Sequence, residues 1–170
     1  SEYVMYVHKT YVATLRLGIE TDSYDGEGQI LAQTDDLRSV TPERIAAALT
    51  AFQGVVQQIP PMFSAVRRDG KRLYELARRG QEVERPAREV WMQVRVLEHA
   101  APNLILEVEC SAGTYIRSLA HDLGAALGVG AYLTGLNRTR IGSLTPRSSV
   151  TALKAAFADG TWREHLVDER

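Results

Sequence analysis

Val90-Trp91-Met92-Gln93-Val94-Arg95-Val96-Leu97 alternates with a period of two. Val90, Met92, Val94 and Val96 fall on one side, and Trp91, Gln93, Arg95 and Leu97 on the other, the pattern of a long strand. Ala101-Pro102-Asn103 carries turn residues and leads into Leu104-Ile105-Leu106-Glu107-Val108-Glu109-Cys110, a second strand. Two consecutive strands joined by a short turn make a hairpin. Upstream, Tyr11-Val12-Ala13-Thr14-Leu15-Arg16-Leu17 alternates in the same way, and Gly18 stops it. Gln29 to Gln33 fits a short returning strand, after a polar, glycine-bearing loop from Thr21 to Gly28.

Helices are read between these strands. Thr41-Pro42-Glu43 combines a capping threonine, a first-turn proline and an early carboxylate. Ile45, Ala48, Leu49 and Phe52 then share one face, with Gly54 as the stop. Ile59-Pro60-Pro61 forces an extended path. Phe63 to Arg68 reads as a strand, Asp69-Gly70 as a tight turn, and Lys71 to Arg79 as a helix ended by Gly80. Ser111-Ala112-Gly113-Thr114 leads into a helix with Ile116, Leu119, Leu123 and Leu127 on one side, ended by Gly128 and Gly130. Thr151 to Ala158 reads as a last short helix before a connector. The expected class is α+β, a largely antiparallel mixed sheet with flanking helices.

The chain has 170 residues, 45% of them apolar and 24% charged, which excludes a disordered tail. Its 20 basic and 21 acidic side chains give a net charge of -1, so a uniformly basic nucleic-acid wrapper is excluded. Charge is segregated, however. Ser1 to Asp36 carries seven acids against Lys9 and Arg16, whereas Arg67 to Arg95 carries nine bases against five acids. Such segments can lie along a phosphate backbone, or be ordinary solvated surfaces. One cysteine, Cys110, permits no internal disulfide. No apolar run approaches the ~20 residues that span a bilayer. A reducing, cytoplasmic location is the expectation. The chain opens without methionine, directly on strand-like Tyr3-Val4-Met5-Tyr6-Val7, as expected for a piece of something longer.

Metal and nucleotide chemistry find little support. One cysteine cannot build a zinc cluster, and His8, His99, His121 and His165 include no i, i+4 pair. Phosphate-binding glycine loops and G-x-S-x-G elbows do not occur. Asp22-Ser23-Tyr24-Asp25-Gly26-Glu27-Gly28 lacks the ligand alternation of a calcium loop.

Three separated blocks carry more. They are Lys9-Thr10-Tyr11-Val12-Ala13-Thr14-Leu15-Arg16-Leu17-Gly18 with Thr21 to Gly28; Gln58-Ile59-Pro60-Pro61-Met62-Phe63-Ser64-Ala65-Val66 with Asp69 to Gly80; and Cys110-Ser111-Ala112-Gly113-Thr114-Tyr115-Ile116-Arg117-Ser118-Leu119-Ala120 with Asp122-Leu123-Gly124, Leu136-Asn137-Arg138 and Ile141-Gly142. Together, from about His8 to Val150, these blocks resemble the TruB family, synthases of pseudouridine-55 in the T-loop of tRNA. The resemblance implies a pseudouridine-synthase fold, with residues 1–150 as part of a catalytic domain and 151–170 as a C-terminal helix and connector.

The implied reaction detaches uracil from C1′ of its ribose, turns the ring and rejoins it through C5. It uses no metal and no organic cofactor. The target nucleotide is flipped out of its loop, at a cost of a few kcal/mol that pocket contacts offset. Tyr11 aligns with the family's active-site tyrosine, which stacks on the flipped base and is a candidate to remove the C5 proton. Its alternative role is core packing, since Ala13, Leu15 and Leu17 share its face. Arg117 aligns with the arginine that pairs with the catalytic aspartate. Its position in the first turn of a helix, at the positive end of the dipole, favours a carboxylate partner. Tyr115 and Leu136 align with uracil-pocket residues, or serve the core. Asp25 borders the site as a hydrogen-bonding group or a turn cap. Arg67, Arg68, Lys71, Arg72 and Arg138 are expected to meet the RNA backbone. The implied partner is the T-arm stem-loop of tRNA, with the protein a monomer and no membrane association.

Departures from the family pattern sharpen the expectation. The family's nucleophile is an aspartate in a G-x-L-D-P-x-A-x-G-x-L segment that belongs upstream of Lys9, and this chain contains no such segment. Asp22 and Asp25 match a different motif. The parent protein is therefore expected to supply the nucleophile, leaving this chain inactive alone. The family's C-terminal PUA-type domain is also not represented. Asn137 stands where a second arginine is usual, and Phe63 where tyrosine is frequent. A non-catalytic RNA-binding module with this fold is the competing expectation.

Overall fold

A computed structural model describes residues 8–64, 67–68, 71–72 and 84–142. Its centre is a five-stranded antiparallel sheet. The strands in chain order are β1 (Lys9–Leu17), β4 (Gly54–Gln58), β7 (Arg88–Ala100), β8 (Asn103–Cys110) and β9 (Ala131–Ile141), arranged β4-β7-β8-β1-β9. The β7–β8 hairpin forms as read, with Val94 opposite Val108 and Met92 opposite Cys110. β1 lies beside β8, with Tyr11 opposite Val108 and Leu15 opposite Leu104. A separate small hairpin joins β2 (Ile19–Thr21) to β3 (Ile30–Gln33). β5 (Arg67–Arg68) and β6 (Lys71–Arg72) form a two-residue ladder.

Register decides what is buried. Ala13, Leu15 and Leu17 of β1, Leu104, Leu106 and Val108 of β8, and Met92 and Val94 of β7 all project to one face. Two helices close that face, α1 (Pro42–Leu49) through Ile45 and Leu49, and α2 (Ile116–Leu127) through Ile116, Leu119, Leu123 and Leu127. Burying each such side chain contributes roughly 1.5–3 kcal/mol. The opposite face is polar: Arg95 meets Glu107 at 2.7 Å, Arg140 meets Glu109 at 3.3 Å, and His8 stacks on Trp91.

Local chemistry sets the helix ends. The Thr41 hydroxyl accepts the Arg44 N–H at 3.3 Å, with Pro42 in the first turn. α2 ends where Gly128 adopts φ 78°, a left-handed position that glycine occupies without steric cost. Arg44 donates to the Leu127 carbonyl at 3.2 Å, placing a cation at the negative end of α2. A methyl group on Gly124 would overlap the backbone of Gly130 and Ala131, so glycine is what lets α2 lie so close to the start of β9.

Several expectations are corrected. The first helix stops at Leu49, continues as a single 3₁₀ turn over Thr50–Phe52, and Gly54 opens β4 instead of closing the helix. Phe63 and Ser64 lie in a bend, and Lys71–Arg72 form a strand because they pair with Arg67–Arg68. Ala131–Ile141 is a sheet strand that periodicity did not reveal. The expected helices over Leu73–Arg79 and Thr151–Ala158, and strand-like Tyr3–Val7, lie outside the described residues.

Candidate active site

The sequence Ser111 to Ser118 builds a polar entry to α2. The Ser111 N–H donates to the Trp91 carbonyl at 2.9 Å, and the Trp91 N–H returns to the Ser111 hydroxyl at 3.0 Å. Gly113 turns the chain at φ 85°. Tyr115 caps α2 with extended backbone and no side-chain cap of its own. The buried Gln58 carboxamide takes over that function. Its Nε2 donates to the Tyr115 carbonyl at 3.0 Å, and its Oε1 accepts the Tyr115 N–H at 2.7 Å. Ser118 Oγ donates to the Ile59 carbonyl at 2.8 Å. The end of β4 is thereby stitched to the start of α2, and the Pro60-Pro61 path carries Phe63 above Arg117.

Arg117 is held by three oxygens. Nη1 donates to Asp25 Oδ2 at 2.7 Å and to the Ser23 carbonyl at 3.4 Å, and Nη2 donates to the Phe63 carbonyl at 2.7 Å. Both charged side chains remain about a quarter exposed, 26% for Arg117 and 23% for Asp25, so the pair is reachable from solvent. The sequence places a cation at the positive end of a helix, and the fold answers with a carboxylate.

Asp25 is itself built into a knot. Its Oδ1 accepts from Ser23 Oγ at 2.5 Å and from the Glu27 N–H at 3.1 Å. Its carbonyl accepts from Thr21 Oγ1 at 2.8 Å. Burial pushes its pKa up, but the Ser23 hydroxyl, the Glu27 N–H and Arg117 outweigh this and hold the carboxyl below its ordinary 3.8. Asp25 is thus both a turn cap and the partner of Arg117, joining two roles that the sequence left as alternatives. Asp22 accepts the Gln29 N–H at 2.9 Å and closes the same loop. Tyr24, which precedes Asp25, adopts φ 66°, a costly conformation for an aromatic residue, and its carbonyl accepts the Leu133 N–H at 3.0 Å.

The remaining site candidates come together through register. β1 pairs with β9 so that Tyr11 faces Arg138 and Ala13 faces Leu136. β9 carries one extra residue between these positions and Arg140, and another between Gly135 and Leu133. Tyr11 is half-buried and packs on the edge of the core. Leu136 is 49% exposed, although it sits on the helix-bearing face. Arg138 is exposed beside them. Tyr11, Leu136 and Arg138 therefore form one patch on the face that α2 covers, at the end of β1 that pairs with Cys110. Among the described residues no hydrogen bond joins Tyr11 to Arg117 or Asp25. Arg67 and Arg68 pair with Arg72 and Lys71 in a backbone ladder.

Four supports of the site were not apparent from the sequence: Gln58, Ser23, Ser118 and the Phe63 carbonyl. Main-chain acceptors leave no compositional signal, and a lone buried glutamine in Gln57-Gln58 looks like any strand-end polar residue. Among the described residues no group of three or more His, Cys, Asp or Glu side chains could hold a metal ion, and no helix is long and apolar enough to cross a membrane.

Known proteins resemble this chain in sequence and fold. Residues 1–116 match the family model of the TruB family pseudouridylate synthase N-terminal domain, and residues 117–170 that of the tRNA pseudouridylate synthase B C-terminal domain. The tRNA pseudouridine synthase B of Ralstonia nicotianae is 49% identical over 166 residues, covering 94% of this chain and 52% of that protein. Its counterpart in Protochlamydia amoebophila is 47% identical over 143 residues, covering 84% and 54%. The chain thus spans about half the length of the curated relatives it matches. A solved Cbf5-Nop10-Gar1 complex contains a chain 27% identical, superposing with TM-score 0.63 over 99% of this chain and 41% of that one. An H/ACA RNP bound to a substrate RNA containing 2′-deoxyuridine shares the fold at 24% identity, with TM-score 0.60 over 99% of this chain and 39% of that one. With a family model matched from Ser1 to Ile116 and relatives near half identity, the chain belongs to the TruB family of pseudouridylate synthases.

Proposed function

We propose that the protein containing this chain isomerises uridine to pseudouridine at position 55 in the T-loop of tRNA. The carrying observation is the Arg117 fork, fixed at the mouth of α2 by Asp25 and the Phe63 carbonyl while still a quarter exposed. A fixed guanidinium keeps a catalytic carboxylate ionised and aimed at C1′. Asp25 is already committed to Ser23, Glu27 and Arg117, so it serves as a positioning group. The nucleophile is an aspartate from a segment of the parent protein upstream of this chain, and this chain alone is inactive.

Tyr11 then stacks on the extruded uracil, a contact worth ~1–3 kcal/mol per base that helps offset unstacking. Its hydroxyl takes the C5 proton once the ring has turned and rejoined. Tyr115 and Leu136 line the base pocket. Arg138 sits next to Tyr11 in register, where it can hold the flanking phosphate, and the β5–β6 ladder with Arg67, Arg68, Lys71 and Arg72 extends this contact along the T-arm. No metal or organic cofactor takes part. The protein works as a cytoplasmic monomer, with residues 1–150 in the catalytic domain and 151–170 as a C-terminal helix and connector.

The test is pseudouridine formation by the full-length protein on a T-arm stem-loop, read by loss of C5 tritium from labelled uridine. Stoichiometric release is expected. Tight, salt-dependent binding without release identifies instead an RNA-binding module that has kept the pocket without its chemistry.

A further inference from the structure

Arg117 grips the Asp25 loop through the ion pair and the Ser23 carbonyl. The neighbouring residue provides a second attachment. The Tyr24 ring stacks on His121 with centroids 3.9 Å apart and planes 14° from parallel. Arg117 and His121 are four residues apart on α2, hence one above the other on one face. Tyr24 and Asp25 lie across that face, one residue on each side chain of α2.

The geometry around the stack bears on where the loop sits. Tyr24 holds φ 66°, its ring lies on His121, and the next carboxylate meets Arg117. Its carbonyl is tied to the Leu133 N–H, so the peptide cannot rotate freely. His121 is not filling a packed core. Beyond it lies a cavity of about 320 Å³ lined by Glu20, Gln33, Thr34, Ala125, Gly128 and others. The imidazole is steered by Glu20, whose Oε1 lies 3.6 Å from Nδ1, and its other charged neighbours on α2 are Asp122 and Arg117.

We propose that His121 is a positioning residue of the active site: by stacking on Tyr24 it fixes the loop that presents Asp25 to Arg117, and so sets the orientation of the catalytic guanidinium. This rests on the functional reading above for its catalytic consequence, but not for its structural one. When a second carboxylate and the substrate compete for Arg117, the ion pair to Asp25 weakens, and the stack keeps the loop from swinging away.

Two measurements on the full-length protein separate the parts. First, the Asp25 carboxyl is titrated by carbon NMR. In the unaltered protein it titrates below its ordinary value; in His121→Ala it moves up toward that value, and in His121→Phe, which keeps an aromatic face, it stays low. Second, turnover on the stem-loop is measured. His121→Ala lowers kcat about tenfold, the scale of one aromatic pair, with KM within about twofold, and His121→Phe recovers most of it. Tyr24→Ala matches His121→Ala, and the double variant is no worse than either. An Asp25 titration indifferent to His121→Ala overturns the inference, as does wild-type kcat in that variant, a Phe variant without recovery, or additive losses. An unaltered protein that makes no pseudouridine overturns the functional reading alone, since the titration still decides the positioning.

Discussion

The two ends of α2 are built on opposite principles. The C-terminal end is locked: Leu123 and Leu127 are buried, Gly124 lets the helix approach β9 closely, Gly128 turns the chain left-handed, and Arg44 caps the last carbonyls. The N-terminal end also buries Ile116 and Leu119, but its polar groups rely on borrowed partners. Gln58 pairs with Tyr115, Ser118 with Ile59, and Arg117 with Asp25 and Phe63, all across long sequence separations. One end is closed by shape and anchors the helix. The other is closed by directional polar contacts that a substrate can exchange. On the proposed function, chemistry falls where the contacts are exchangeable, and stability falls where they are not.

That contrast is broken most sharply at Arg117. Arg117→Ala in the full-length protein is expected to lower kcat by about a thousandfold, the upper scale for removing one charge-stabilising group. Folding stability should move by less than about 1 kcal/mol, because the Arg117–Asp25 pair is partly solvated and the lost cation sat at the unfavourable helix end. Leu123→Ala should do the reverse. A fully buried leucine lost from the locked end costs about 3 kcal/mol, with kcat per folded molecule nearly unchanged. Steady-state turnover and denaturant midpoints measured on both variants test the division. Comparable changes in both quantities for both variants would remove it.

Gln58→Ala lies between the two. It leaves the Tyr115 N–H and carbonyl without their partner and should cost about 2 kcal/mol. Because Tyr115 precedes Arg117 by two residues, kcat should fall as well, whereas a variant of equal stability loss at the locked end should spare it. Pairing Gln58→Ala with a stability-matched Leu127 substitution makes that comparison.

The locked parts were legible in the sequence because they obey simple periods. Val90–Arg95, Leu104–Cys110 and Val12–Leu17 alternate between buried and less buried positions, Val96 and Leu97 beyond the first being exposed, and Ile116, Leu119, Leu123 and Leu127 trace one helix face before Gly128. β9 was not legible, since its two extra residues shift the inside–outside alternation twice within eleven residues and hide the period. β4 was not legible either. Its Gln57-Gln58 end looks like loop sequence, but Gln58 is buried to serve Tyr115. Arg117, Tyr11 and Asp25 stood out through their motifs. Their supporting shell did not, because a carbonyl such as that of Phe63 acts through position and not through identity.

Two carboxylates, Asp25 facing α2 and Asp122 within it, extend the contrast to pH. Asp25, near the exchangeable end, is depressed: burial raises it, but Ser23, Glu27 and Arg117 outweigh that. Its stabilisation is fully present above the unfolded value near 3.8 and is lost as pH falls through its folded value. Asp122, farther along the helix, is raised by burial, opposed by His121. Below its unfolded value it contributes no penalty. As pH rises from there through its folded value, the buried charge appears and stability declines to a constant deficit. Acidification from neutral should therefore first raise the melting temperature slightly and then lower it. Asp122→Asn should remove the first limb and stabilise the neutral protein by no more than about 0.5 kcal/mol, whereas Asp25→Asn should flatten the second. Melting curves from pH 7 to pH 3 read both limbs. Parallel curves for the unaltered protein and Asp122→Asn would show that the charge on this helix is solvated, and that the helix carries its burial penalty nowhere along its length.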